Sequence, residues 1–255
     1  MAAQRSKLSR LAVLLGLLVL VGGVALLQDR GSAGTTAPCD VGTEQACAEV
    51  APDADRSSGT EAAPFPVLNA ESACRDVGYL CADLRTADRI QLRRWRDFSG
   101  TIVVHVPRPD FEDSGDAARL QEAAARGLRA WNGQPFAILT DLRGDREAHF
   151  AVRWSPGLSG TQIGRARTQW SSPSGLSVVA IELSSRNPFR PERLNDARQV
   201  QLTAAHEMGH ALGVPHSDSE RDIMYPTNTA SSMSARDYRT MEALYEREDG
   251  TEIVK

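Results

Sequence analysis

The chain reads as a mixed domain of strands and helices over residues 98–248. Three observations carry that reading. β-branched runs alternate with helically spaced apolar positions across the span, a histidine-bearing stretch at 206–216 falls on one of the helices, and the residues before 98 differ in composition. The 255 residues suffice for one good-sized domain plus additional segments. A hydrophobic content of 41% with 24% charged residues is that of a globular protein. The net charge of −4 gives no electrostatic case for binding nucleic acid.

Residues 1–27 read as a targeting segment. Arg5, Lys7 and Arg10 precede an uncharged apolar run from Leu11 to Leu27. That run is long for a signal-peptide core and at the lower limit for a membrane span, so a cleaved signal peptide and an N-terminal membrane anchor both fit. Small residues around Gly31-Ser32-Ala33 or Thr35-Thr36-Ala37 offer a weak cleavage site. The basic flank stays cytoplasmic in either case, so the rest is expected outside the cytoplasm, secreted or membrane-anchored.

Residues 28–97 read as a linker and N-terminal segment carrying all four cysteines, Cys39, Cys47, Cys74 and Cys81. In an oxidising compartment four cysteines suggest two disulfides with three connectivities, of which Cys39–Cys47 with Cys74–Cys81 is the simplest. Residues 28–70 have linker composition. Residues 82–97 mix Arg85, Arg89, Arg93, Arg94 and Arg96 with Asp83, Asp88 and Asp97, interrupted by Leu84, Ile90, Leu92 and Trp95. This pattern predicts a solvated helix leading into the domain, with a binding patch for anionic surfaces as the alternative.

Within the domain, Thr101–Val106 is β-branched and stops before Pro107, so it reads as a strand. Ser114–Trp131 places Ala117, Leu120, Ala124, Leu128 and Trp131 at helical spacing, and Asn132-Gly133 ends the helix. Phe136–Leu139 and Ala148–Trp154 read as short strands, Ser155–Gly160 as a loop and Ile163–Trp170 as extended chain. Val178–Leu183 reads as a further strand. Asn195 or Asp196 caps the next helix, with Gln199 in the capping-box position after Asp196. Ser234-Ala235-Arg236-Asp237 caps a last helix that runs to about Glu246.

The central motif is His206-Glu207-Met208-Gly209-His210-Ala211-Leu212-Gly213-Val214-Pro215-His216. His206 and His210, four apart, lie on one helical face, where a single zinc ion can take both imidazoles. Gly213 tolerates the left-handed conformation that ends a helix, and Pro215 prevents its continuation. The chain then turns back, and His216 can supply a third nitrogen. Three protein ligands leave one tetrahedral position for water, as in a catalytic zinc site. Glu207 lies about 100° around the helix from His206 and can reach a metal-bound water as general base. The shorter H-E-x-x-H pattern arises by chance at roughly one position in 8,000 for equal residue frequencies, and Gly213 with His216 cut that by roughly another 400-fold.

Together with Asp222-Ile223-Met224-Tyr225-Pro226, this run resembles the metzincin metallopeptidases, and Ser217 after the third histidine makes it most similar to the matrixin branch. The resemblance covers roughly residues 98–248 and is specific over 203–226. It implies an α+β zinc peptidase domain: a mixed twisted sheet, an active-site helix, a Met-turn and a C-terminal helix. Met224 is then the Met-turn methionine beneath the zinc ligands. Val178–Leu183, with Val179, Ala180 and Ile181, is then the edge strand above the cleft, against the alternative of a fully paired inner strand, and Tyr225 and Pro226 wall the substrate pocket. A propeptide cysteine plugging the zinc is a second role open to Cys74, although Ala73-Cys74-Arg75-Asp76 matches the matrixin propeptide motif poorly. Animal matrixins hold a structural zinc with further histidines. None occurs here between His149 and His206, so one catalytic zinc is expected, while backbone carbonyls leave calcium open. His105 and His149 are expected to be structural.

The expected function is an extracytoplasmic zinc endopeptidase acting on protein or peptide substrates, with the membrane as a partner if the N-terminal segment stays uncleaved. The alternatives are an inactive zinc-binding interaction module and an anchored structural protein.

Overall fold

The computed structural model describes residues 64–96, 100–111, 113–133 and 135–255, all within one unit of the chain. Residues 1–27, expected to be a targeting segment, and Cys39 and Cys47 lie outside the described residues. The described chain begins with β1 (Val67–Asn69), α1 (Ala70–Ala73), a 3₁₀ turn (Ala82–Arg85) and β2 (Arg89–Gln91). Then come β3 (Gly100–His105), α2 (Ser114–Leu128) with a 3₁₀ extension (Arg129–Trp131), β4 (Phe136–Asp141) and β5 (Phe150–Ser155). β6 (Gly164–Ser171), β7 (Gly175–Ser184) and the short pair β8 (Arg186–Asn187) and β9 (Arg190–Leu194) follow. The chain closes with α3 (Ala197–Ala211), α4 (Ala235–Tyr245) and β10 (Glu252–Val254).

The main sheet has the order β4-β3-β5-β7-β6. Its strands run parallel except β6, which pairs antiparallel with β7 and shifts register between Arg167 and Thr168. This is the mixed α+β architecture that the resemblance implies. Ile102, Val104, Ile181 and Leu183 of the sheet are fully buried, as are Leu120 and Leu128 of α2 and Val200, Ala204 and Met208 of α3. Each large apolar side chain so placed stabilises the fold by about 1.5–3 kcal/mol. The two helices approach closely because Gly127 has no side chain: a Cβ there would collide with the Gln201 carbonyl and lie 2.8 Å from Ala204 Cβ.

The structure corrects the expectations in three places. The first concerns the edge strand. Val179, Ala180 and Ile181 belong to β7, which lies inside the sheet between β5 and β6, and Ala180 and Ile181 are fully buried. β6 is the edge. The antiparallel β6–β7 hairpin places the earlier strand outermost, and the polar run Arg165-Ala166-Arg167-Thr168 suits an exposed edge better than the apolar run of β7.

The second concerns residues 82–97. In place of a solvated helix they hold the 3₁₀ turn and β2, and Leu84 and Leu92 are buried. The physical reason is tertiary: β10 pairs with β1 on one side and β2 on the other, and Ile253 at its centre is fully buried.

The third concerns the boundaries at 98 and 248. Ala73, Val77, Tyr79, Leu80 and Leu92 share a hydrophobic cluster with Leu244 and Ile253, so the packed unit begins before 98 and continues past 248. Within this segment Cys74 and Cys81 form a disulfide. That is one of the local pairs expected, and it leaves the Cys74 sulfur with no thiol for a metal plug.

Candidate metal centre

α3 is built to hold its histidines still. The Asp196 side chain accepts from the Arg198 and Gln199 N–H groups at 2.8 and 3.3 Å, satisfying the first turn. At the other end Val214 N–H donates to Gly209 O at 2.9 Å and Gly213 N–H to His210 O at 3.0 Å, the two bonds of a Schellman reversal. Gly213 sits at φ 91° with the Arg93 carbonyl against its Cα, so a side chain there would be strained and would collide. The reversal carries the chain back under the helix and brings the Val214 carbonyl 3.1 Å from His210 Nδ1.

His206 Nδ1 lies 2.8 Å from the Ile223 carbonyl. A carbonyl only accepts, so both Nδ1 atoms carry the proton and donate. The neutral rings then present bare Nε2 lone pairs toward each other. His210 Nε2 is 3.1 Å from His206 Nε2 and 3.1 Å from His216 Nε2. Facing acceptors at this distance repel unless a cation lies between them. Zinc–nitrogen bonds of about 2.0–2.1 Å in a tetrahedral site put ligand nitrogens only slightly farther apart, so the donor set fits the metal. Burial holds the His206 and His216 imidazoles below their ordinary pKa, and the Asp83 charge opposes this at His216. At His210, burial and then the two neighbouring histidines push the value to about 3. Neutral imidazole is the form that binds a metal. Among the described residues, these three are the one set of three or more such side chains close enough to share an ion.

Glu207 is 7% exposed, and burial pushes its carboxyl up to about 7 against the opposing bond from Ala166 N–H to Oε2 at 2.7 Å. That bond comes from the edge strand β6. Gly164 on the same strand makes room for it, since a Cβ there would lie 2.7 Å from Glu207 Cγ and 2.8 Å from Oε1. Glu207, the three histidines, Ala166 and Pro226 line one cavity of about 560 Å³. Tyr225, the residue before Pro226, is half-buried and closes a turn through its N–H to Asp222 O at 3.2 Å.

The turn at Met224 is fully buried, and the Met224 sulfur and methyl occupy the space that a side chain on Gly209 would need. Ser217 N–H donates to Met224 O at 2.9 Å, which ties the turn to the residue after His216. Two carboxylates lock this layer. Asp222 accepts from Ser217 Oγ at 2.5 Å, Ser234 Oγ at 2.7 Å and Arg236 Nη1 at 2.8 Å. Asp237 accepts from Tyr79 Oη at 2.6 Å, Ser234 N–H at 2.7 Å and Ile223 N–H at 3.1 Å. Asp237 thus anchors the N–H of Ile223, the residue whose own carbonyl orients His206. Burial and the adjacent Asp237 hold the Tyr79 phenol neutral, far above its ordinary value. Sequence reasoning recognises Asp237 only as a helix cap. Its contact with Tyr79 spans 158 positions, which no local pattern reveals.

His105 and His149 stay away from the centre. His105 Nδ1 lies 3.1 Å from Asp141 O, and His149 Nδ1 accepts from Val103 N–H at 3.0 Å.

The matrixin family model matches residues 122–246, which include the C-terminal part of α2, strands β4 to β9, α3 and α4. An archaemetzincin from Natronomonas pharaonis is 28% identical over 166 residues, covering 63% of this chain and 89% of that protein. Together with the converging histidines, these matches support a zinc peptidase of the metzincin type.

Proposed function

We propose that the chain is an extracytoplasmic zinc endopeptidase of the matrixin-like branch, with His206, His210 and His216 as zinc ligands and Glu207 as general base. The observation that carries this reading is the convergence of three histidine Nε2 atoms and one buried carboxyl group in a single cavity along the open edge of the sheet. Zinc bound there supplies a Lewis acid that polarises the scissile carbonyl and acidifies its water.

The protein's own groups do the rest. The Nδ1 bonds to Ile223 and Val214 fix the tautomer and ring orientation of two ligands. Glu207 Oε2 is held by Ala166 N–H, leaving Oε1 to take a proton from the attacking water and return it to the leaving amine. A carboxyl near 7 suits a group that must both accept and give a proton at neutral pH. β6 offers the edge along which an extended peptide can pair, and Pro226 bounds the cavity beside it.

Cleavage of casein or a peptide library by the purified protein, lost with a chelator and restored by zinc, is the expected result. Chelator-insensitive cleavage, or none with zinc bound, contradicts the assignment. N-terminal sequencing of the native protein tests the compartment. A mature start after about residue 30 or an uncleaved membrane-bound form agrees with it, and a soluble cytoplasmic form retaining Met1 does not.

A further inference from the structure

A second cavity, of about 310 Å³, lies on the other side of His210 from Glu207. Ala166 and His210 line both cavities, so the two are adjacent at the triad. The floor of the second is aliphatic: Leu80, Leu92 and Leu176 are 2%, 4% and 7% exposed, and Ile90 lies beside them. One wall, from Leu80 to Arg93, falls outside the residues matched by the matrixin family model.

That wall is held in place from three directions. The Cys74–Cys81 disulfide closes at its start, and Cys81 is the residue from which the 3₁₀ turn starts. Arg85 Nη1 lies 2.6 Å from Asp218 Oδ2, just past His216, and Asp218 is itself 2.7 Å from Arg236. β2 is hydrogen-bonded to β10.

Two charged residues line the cavity, Asp83 and Arg93. The Arg93 guanidinium lies over the Trp170 ring, 5.3 Å from its centre, and its Nε is 3.4 Å from Gln91 Oε1. Asp83 is exposed and makes no ion pair among the described residues, and its charge reaches His216.

We propose that this second cavity is a substrate subsite for a lysine or arginine side chain, with the aliphatic floor taking the methylene stem and Asp83 taking the cation. Both side chains are long apolar stems ending in a charge, which is the chemistry this lining presents. The proposal rests on the peptidase reading and deepens it. β6 passes from the first cavity at Gly164 and Ala166 to the second at Ala166 and Thr168. Two residues of strand span about 7 Å. A peptide paired to this edge therefore brings a side chain two or three residues from the scissile bond into the second cavity.

The test is a peptide-library cleavage profile for the full chain carrying zinc, for Asp83→Asn and for Asp83→Arg, read within each protein as the ratio of kcat/KM for Lys over Glu at each position. A partly exposed charge pair is worth about 0.2–1 kcal/mol, so the wild type should favour Lys by up to roughly five-fold over a neutral residue at one position. The ratio at that position should fall toward one in Asp83→Asn and invert in Asp83→Arg, and the wild-type preference should shrink at high salt. Chelator-sensitive cleavage with the same profile in all three proteins overturns the subsite and leaves the peptidase standing. Absence of any chelator-sensitive cleavage overturns both.

Discussion

The upper side of α3 and the layer beneath it are both polar, yet they use their polar groups in opposite ways. Above, three imidazole nitrogens face one another and a protonatable Glu207 holds a single backbone bond. Below, Asp222 and Asp237 are 2% and 0% exposed, and each accepts three hydrogen bonds. Groups left short of partners can bind and react. Groups fully supplied can only hold position. Substitutions above should therefore change chemistry at nearly constant stability, and substitutions below should change stability first.

The largest loss of stability is expected at Asp237→Ala. It strands Tyr79 Oη and the Ile223 and Ser234 N–H groups in the interior, and losing one member of such a buried charged network costs about 3–5 kcal/mol. Chemical denaturation measures it, and a change near zero would show that the lower layer is not what fixes the turn at Met224. A smaller effect is expected from the paired Cys74→Ala and Cys81→Ala substitution. A loop this short gives about 2–3 kcal/mol of stabilisation on the chain-entropy account. Because the bridge abuts the 3₁₀ turn beside His216, the double variant should also lose activity at temperatures well below its unfolding midpoint. Unchanged activity there would mean that the N-terminal wall is not coupled to the centre.

The smallest effect is expected at Asp218, whose carboxyl is held at about 2 by Arg236 and then Arg85, against an ordinary 3.8. The folded-state value is the lower one. The stabilisation is therefore fully present above about pH 4 and is lost as pH falls toward 2. The denaturation midpoint of the wild type should drop further between pH 5 and pH 2.5 than that of Asp218→Asn, and equal drops would remove Asp218 from the account.

What the sequence makes legible follows the range of the interactions. His206, His210 and Gly213 are related by helix geometry within a few residues, so spacing alone predicts that they act together. The element pattern of β3, α2, α3 and α4 is likewise local, and the structure agrees with it to within a few residues. The order of strands in a sheet is not local. The available signal was the polar character of residues 165–168, which marks β6 as the edge, set against the apolar run that marks β7 as interior. Residues 82–97 mislead because their arginines suggest solvation. Arg94 instead donates from Nε to Arg247 O at 2.6 Å and Arg96 pairs with the buried Asp249 at 3.2 Å, contacts 153 positions apart in both cases. No window of sequence contains both partners.

The central claim is that metal binding and proton transfer reside in different side chains of one helix. Zinc content and peptide turnover measured together in Glu207→Gln test it most directly. The account predicts about one zinc per chain, as in the wild type, with kcat/KM reduced by about 10²–10⁴-fold. A variant that keeps its zinc and cleaves at the wild-type rate would show that Glu207 is not the base.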